Sequence, residues 1–152
     1  MNLNVYHIKF LQMLVRANAR FIVIGGQARM LYSEHCPRDL DIWVDISADS
    51  QTQILDVLNN WWTIHPLHSS GTLPLNLGPK IQIHIPEWDV HFLDDGGNQV
   101  QITADDGIDI LTSLHDWNFE AVFQRCARRI EHNMTLFVLN KCDSALSDSL
   151  PR

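Results

Sequence analysis

Two stretches decide the fold: Phe21-Ile22-Val23-Ile24-Gly25-Gly26 and Asp39-Leu40-Asp41-Ile42-Trp43-Val44-Asp45. The first is an apolar run stopped by two glycines, which reads as a buried strand ending in a turn. The second alternates: Leu40, Ile42 and Val44 fall on one face of a strand, Asp39, Asp41 and Trp43 on the other. Between them, Gln27 to Ser33 reads as a short helix. The order is strand, Gly-Gly, short helix, strand with Asp-x-Asp.

Each part of that order suits one task in phosphate chemistry. Gly25 and Gly26 let the backbone approach a triphosphate with no Cβ in the way. The free N–H groups at the start of the next helix would face the phosphates. Residues i and i+2 of a strand share a face, so Asp39 and Asp41 reach the same metal ions. Mg2+ favours carboxylate and phosphate oxygens. Two such ions about 3.5–4 Å apart can activate a hydroxyl and stabilise a leaving pyrophosphate. Alone, Gly-Gly is a common turn and Asp-x-Asp a common exposed-strand pattern; their succession is the specific feature.

Working outward, Asn4 can cap a first helix to about Ala17, with Val5, Ile8, Leu11 and Val15 on one side. Ser47 or Ser50 can cap a helix whose Ile54, Leu55, Leu58, Trp61 and Trp62 follow helical spacing. Trp61 and Trp62 read as core and rim. A polar loop spans Ser69 to Pro79. Lys80 to Ile85 and Trp88 to Leu93 read as two antiparallel strands joined at Pro86-Glu87, with His84 and His91 facing each other as a structural polar pair. Asp94 to Asn98 is a turn, Val100 to Thr103 a strand, and Ile108 to Thr112 a further one. Asn118 caps an amphipathic helix with Phe119, Val122, Phe123, Cys126 and Ile130 on its apolar face, which makes Cys126 inert packing. Arg125, Arg128 and Arg129 then read as a solvated helix face. Thr135 to Leu139 is a last strand, and a weak helix follows from Lys141.

The length of 152 residues fits one domain, 1–152, and 45% hydrophobic residues supply a core. The fold class is α/β (α+β): a small mixed, twisted sheet flanked by helices. No apolar run reaches the roughly 18 residues that span a bilayer, and Met1 to Phe10 carries no signal-peptide pattern. Three cysteines without CxxC spacing suit the cytoplasm. Eight histidines without HxxxH spacing argue against zinc. The net charge of −7 argues against direct nucleic-acid binding unless a partner supplies basic surface.

At Gly25-Gly26, twelve residues, and Asp39-Leu40-Asp41-Ile42, the chain resembles the polymerase-β-type nucleotidyltransferase superfamily. Phe21 to Asp45 is similar to the minimal bacterial members, including those of toxin–antitoxin pairs. The resemblance implies the nucleotidyltransferase fold, an NTP as substrate and Mg2+, two ions, as cofactor. It implies metal binding by Asp39 and Asp41, and NTP contacts from Gly25, Gly26 and Arg38. It further implies a third carboxylate that holds metal and serves as general base. Asp109, in Ile108-Asp109-Ile110-Leu111, is the favoured candidate. Asp89, in Trp88-Asp89-Val90-His91, is the alternative, and it resembles a segment of lincosamide-modifying, hence antibiotic-modifying, relatives. His35 and Pro37 stand where minimal members carry Arg and Thr or Ser. Arg29 reads either as a phosphate contact or as a salt-bridge partner.

The expected activity is transfer of an NMP from an NTP to an acceptor hydroxyl: a small molecule, a protein or a tRNA end. The alternative is a catalytically weak or inert relative that binds nucleotide or protein. No membrane is involved, and a homodimer is left open.

Overall fold

The computed structural model describes residues 1–33, 36–64, 80–83, 90–93, 99–102 and 107–151. In chain order the elements are α1 (Val5–Arg16), β1 (Phe21–Ile24), α2 (Gly25–Arg29), β2 (Leu40–Val44), α3 (Ala48–Ile64), β3 (Lys80–Ile83), β4 (Val90–Leu93), β5 (Gln99–Ile102), β6 (Ile108–Leu111), α4 (Phe119–Gln124), β7 (Ala127–Glu131), β8 (Met134–Val138) and α5 (Lys141–Ser149). Six strands form one mixed sheet in the order β3-β6-β2-β1-β8-β7. β1 runs antiparallel to β2 and parallel to β8, and β2 runs parallel to β6. β4 and β5 pair separately as a two-stranded antiparallel unit. The expected class holds: a mixed sheet with helices around it.

The first helix forms where its caps dictate. The Asn4 side chain accepts from the N–H groups of Tyr6 and His7, and the His7 ring accepts back from the Asn4 N–H. At the other end Asn18 turns left-handed (φ 55°). The Asn18 N–H then reaches the Val15 carbonyl at 3.1 Å, and the Ala19 N–H reaches that of Leu14 at 3.0 Å. That paired closure terminates the helix and delivers the chain into β1. Phe10, Leu11 and Leu14 of α1 are fully buried. Phe10 meets Trp61 of α3 edge-on at 5.2 Å. Trp61 is thus core, as its spacing predicted; the Trp62 side chain lies outside the described residues.

β2 is apolar on both faces apart from Asp41. Leu40, Ile42 and Val44 are buried on one side. On the other, Trp43 packs edge-on against Phe119 of α4 at 5.1 Å. Because Asp41 and Trp43 share a face, α4 covers one end of the surface that carries the acids and leaves Asp41 half-exposed.

Four expectations need correction. The helix expected from Phe119 through Ile130 stops at Gln124, and Ala127–Glu131 is a strand. Ile130, predicted on an apolar helix face, is 79% exposed. The reason lies in the next turn: His132 (φ 49°) and Asn133 (φ 62°) form a two-residue left-handed loop that folds β7 onto β8. That local hairpin outcompetes the helical period. Arg128 and Arg129 are accordingly exposed on a strand, and Arg125 closes α4 while pairing with Asp143 at 2.6 Å.

Among the described residues, β3 and β4 do not pair as the expected hairpin. β3 lies against β6, and β4 pairs with β5. Pro86-Glu87, the turn Asp94 to Asn98 and the loop Ser69 to Pro79 lie outside the described residues. So does His84, and with it the expected His84–His91 pair. The short helix expected from Gln27 to Ser33 begins earlier, on the glycine pair itself, and ends at Arg29. The strand expected from Asp39 to Asp45 is Leu40–Val44, with both terminal acids just outside it. Among the described residues, no helix is long and apolar enough to cross a membrane.

Candidate metal centre

Three adjacent strands build the centre. β2 and β6 are parallel and in register, with Asp41 opposite Asp109. Side chains at paired positions of neighbouring strands point to the same side of the sheet, so these two carboxylates lie side by side. Asp39, two residues before Asp41, joins the same face. The three offer oxygens that all lie within 4.8 Å of one another, and all three residues are half-exposed. On the other flank, β1 places Ile24 opposite Asp41, and the chain turns there into Gly25.

Gly25 is left-handed (φ 64°), a conformation that glycine adopts without a Cβ penalty. A Cβ built on it would stand 2.4 Å from Asp41 Oδ2 and 3.2 Å from Asp41 Cβ and Cγ. The glycine therefore makes room for the carboxylate of Asp41. The sequence suggested a different beneficiary for this glycine, a triphosphate approaching the backbone. Gly26 is buried within α2.

The donor set fits a hard divalent cation. Two oxygens on one Mg2+ stand at most about 4.2 Å apart, twice the usual bond of about 2.1 Å. A triad spread over no more than 4.8 Å closes on one ion with small side-chain rotations, or bridges two. Three anionic oxygens and no sulfur or imidazole among them favour Mg2+ or Mn2+ over zinc.

The other residues expected at the site divide. Arg38 is exposed, directly before Asp39. Arg29 is committed elsewhere: its guanidinium donates to Asp148 of α5 at 2.7 Å. Its salt-bridge reading is the one observed. Asp89 and His35 lie outside the described residues, and Pro37 is buried. Among the described residues, Asp109, the favoured candidate for third carboxylate, lies beside Asp39 and Asp41.

Two functional-site neighbours were missed in the sequence, Gln27 and His7, both with no solvent exposure. The Gln27 amide donates to the Asp39 carbonyl at 2.9 Å and to the Asn2 carbonyl at 2.8 Å, and accepts from the Asn2 N–H at 2.8 Å. The His7 Nε2 contacts the Gly107 carbonyl at 3.2 Å. For His7 a signal was available: it stands three residues after Asn4, the reciprocal position of a capping box. Gln27 gives no sequence signal beyond its place after the glycines.

No protein-family model matches the chain, and comparison with curated proteins and with solved structures returned no match either. Fold and site together define a mixed-sheet α/β protein with a three-aspartate centre suited to a divalent cation.

Proposed function

We propose that the chain is a Mg2+-dependent nucleotidyltransferase, which moves an NMP from an NTP onto an acceptor hydroxyl. The observation that carries this reading is the convergence of Asp39, Asp41 and Asp109 beside the left-handed Gly25. Asp39 and Asp41 would hold Mg2+, with Asp109 completing the set. Bound there, the metal would neutralise phosphate charge and ease ionisation of the hydroxyl. In the reaction the acceptor oxygen forms a bond to the α-phosphorus. The bond from that phosphorus to the bridging oxygen breaks, and pyrophosphate leaves with the electron pair. The hydroxyl proton passes to the Asp109 carboxylate, whose place in the cluster would put it next to the reacting atoms. Arg38, exposed and adjacent, would meet the phosphates.

The acceptor class is a small molecule, a protein or a tRNA end. The net charge of −7 disfavours RNA unless a partner adds basic surface. Free Cys36, Cys126 and Cys142 suit the cytoplasm.

A second reading, a nucleotide-binding or protein-interaction module without turnover, draws on Arg29. Its pairing with Asp148 withholds one cation from a triphosphate.

Thermal melts with Mg2+ and each NTP test the proposal. A ligand of the folded state raises the melting temperature by mass action. The expected result is a rise with at least one NTP, lost in Asp39→Asn and Asp41→Asn. Absence of a rise with every NTP would refute both readings of nucleotide binding. A rise without pyrophosphate release across the three acceptor classes would favour the module.

A further inference from the structure

The carboxylates of the centre are not equally anchored. Asp41 and Asp109 sit within paired strands, where the ladder fixes their backbones. Asp39 precedes β2, so the ladder begins only at Leu40. The Asp39–Leu40 peptide is held by one hydrogen bond from a buried side chain and one to the Gly107 backbone. Its carbonyl accepts from Gln27 Nε2 at 2.9 Å. Its N–H, that of Leu40, donates to the Gly107 carbonyl at 3.0 Å. The same carbonyl accepts from His7 Nε2 at 3.2 Å. A carbonyl only accepts, and the backbone N–H of Asn4 only donates to His7 Nδ1. The ring thus accepts at Nδ1 and turns Nε2 toward the Gly107 carbonyl, with Asn4 Nδ2 also 3.2 Å from Nε2.

We infer that Gln27 and His7 are positioning residues of the carboxylate centre. The relay runs from Gln27 through the Asp39–Leu40 peptide and Gly107 to His7, and links the starts of β2 and β6. Gly107 stands two residues before Asp109 in the sequence. One end of the relay thus orients the peptide that carries Asp39, and the other holds the approach to Asp109. Both side chains are fully buried, where a hydrogen bond is strong and an unmet partner costly. Asn2 completes the Gln27 end: its backbone N–H and carbonyl both bond to the amide, and its Nδ2 donates to the Pro37 carbonyl, just upstream of Asp39. Replacing Gln27 by an apolar side chain of like size keeps the volume and removes the hold on Asp39. The inference rests on the metal-binding part of the proposed function.

The test is a Mn2+ titration of the full chain followed by electron paramagnetic resonance, with melting temperature recorded for every variant. Gln27→Met should bind Mn2+ at least tenfold more weakly than wild type. His7→Met should weaken it too, and His7→Gln, which keeps a donor towards Gly107, should recover to within about threefold of wild type. Leu136→Ala, in the distant β8, should lower the melting temperature and leave Mn2+ affinity unchanged, which separates positioning from general destabilisation. If Gln27→Met does not fold, Gln27→Asn replaces it. That variant keeps the amide but cannot span from α2 to both carbonyls, so its binding should also weaken by tenfold. Wild-type affinity in the folded Gln27 variant, or an equal loss in Leu136→Ala, overturns the positioning role and leaves the metal centre standing. Failure of wild type itself to bind Mn2+ overturns the metal centre and the positioning role together.

Discussion

Gly25→Ala probes the tightest contact in the centre. Two costs can be worked from the geometry. The backbone cost comes from a left-handed φ of 64°, about 1–2 kcal/mol for a residue with a Cβ. At roughly 2–4 °C per kcal/mol for a chain of this size, the metal-free melting temperature should fall by roughly 2–8 °C. The steric cost falls on Asp41. A Cβ at 2.4 Å from Oδ2 must open to about 3.4 Å, so the carboxylate retreats by about 1 Å. Against a metal–oxygen bond of about 2.1 Å, that retreat removes a ligand, and metal affinity should drop by at least about tenfold. At a metal concentration of 100 times the wild-type Kd, binding stabilises wild type by about 2.7 kcal/mol and the variant by about 1.4 kcal/mol. The assay is a pair of melts, with and without Mg2+, on both proteins. Asp41→Ala provides the cycle: in that background most of the clash is gone, and Gly25→Ala should cost little beyond the backbone term. An unchanged metal-free melting temperature, together with an undiminished Mg2+ shift, would refute the reasoning.

Two further outcomes follow from the corrected fold and the cysteines. Ile130→Ala should leave the melting temperature nearly unchanged, because the side chain is 79% exposed. Leu136→Ala, fully buried on the paired strand, should cost about 2–5 kcal/mol, or roughly 4–20 °C. Equal losses from the two would contradict the β7–β8 hairpin. Burial pushes the Cys126 thiol up to about 12, aided by the Asp143 charge and opposed by Arg125. At pH 8 roughly one molecule in ten thousand carries that thiolate, and labelling follows the thiolate. Iodoacetamide at pH 8 should therefore modify exposed Cys36 and Cys142 and spare Cys126, as peptide mass mapping will report. Labelling of Cys126 at the rate of the others would refute its raised thiol.

The parts of the fold legible in the sequence are those set by neighbours in the chain. Asn4 announces α1, and the alternation from Asp39 to Asp45 announces β2. The i, i+2 relation put Asp39 and Asp41 on one face without any tertiary information. Strand partners were less legible. Alternation in Lys80 to Ile85 marks a strand but carries nothing about whether β4 or β6 lies alongside, since register and pairing depend on distant residues. At Phe119 to Ile130 two local signals competed. The apolar spacing favoured helix, and the left-handed His132-Asn133 turn favoured the hairpin that forms. Asp109 was reachable as a candidate, yet its alignment with Asp41 follows from a parallel pairing that periodicity does not encode. Gln27 and His7 were hidden for a related reason. Whether a polar side chain is buried and satisfied depends on which distant carbonyls reach it, here those of Asp39 and Gly107.

The parallel pairing of β2 with β6 also bears on the balance between closed and opened chain. Strands so far apart in the chain meet only after a long loop closes, which makes their docking slow. Docking also gathers three carboxylates, whose mutual repulsion is on the order of 1–4 kcal/mol per pair between the water and near-surface limits. A divalent cation can bridge those strands only once they are together. A cation held by Asp39, Asp41 and Asp109 would act as a latch across the middle of the sheet, lowering the population of the opened chain by mass action.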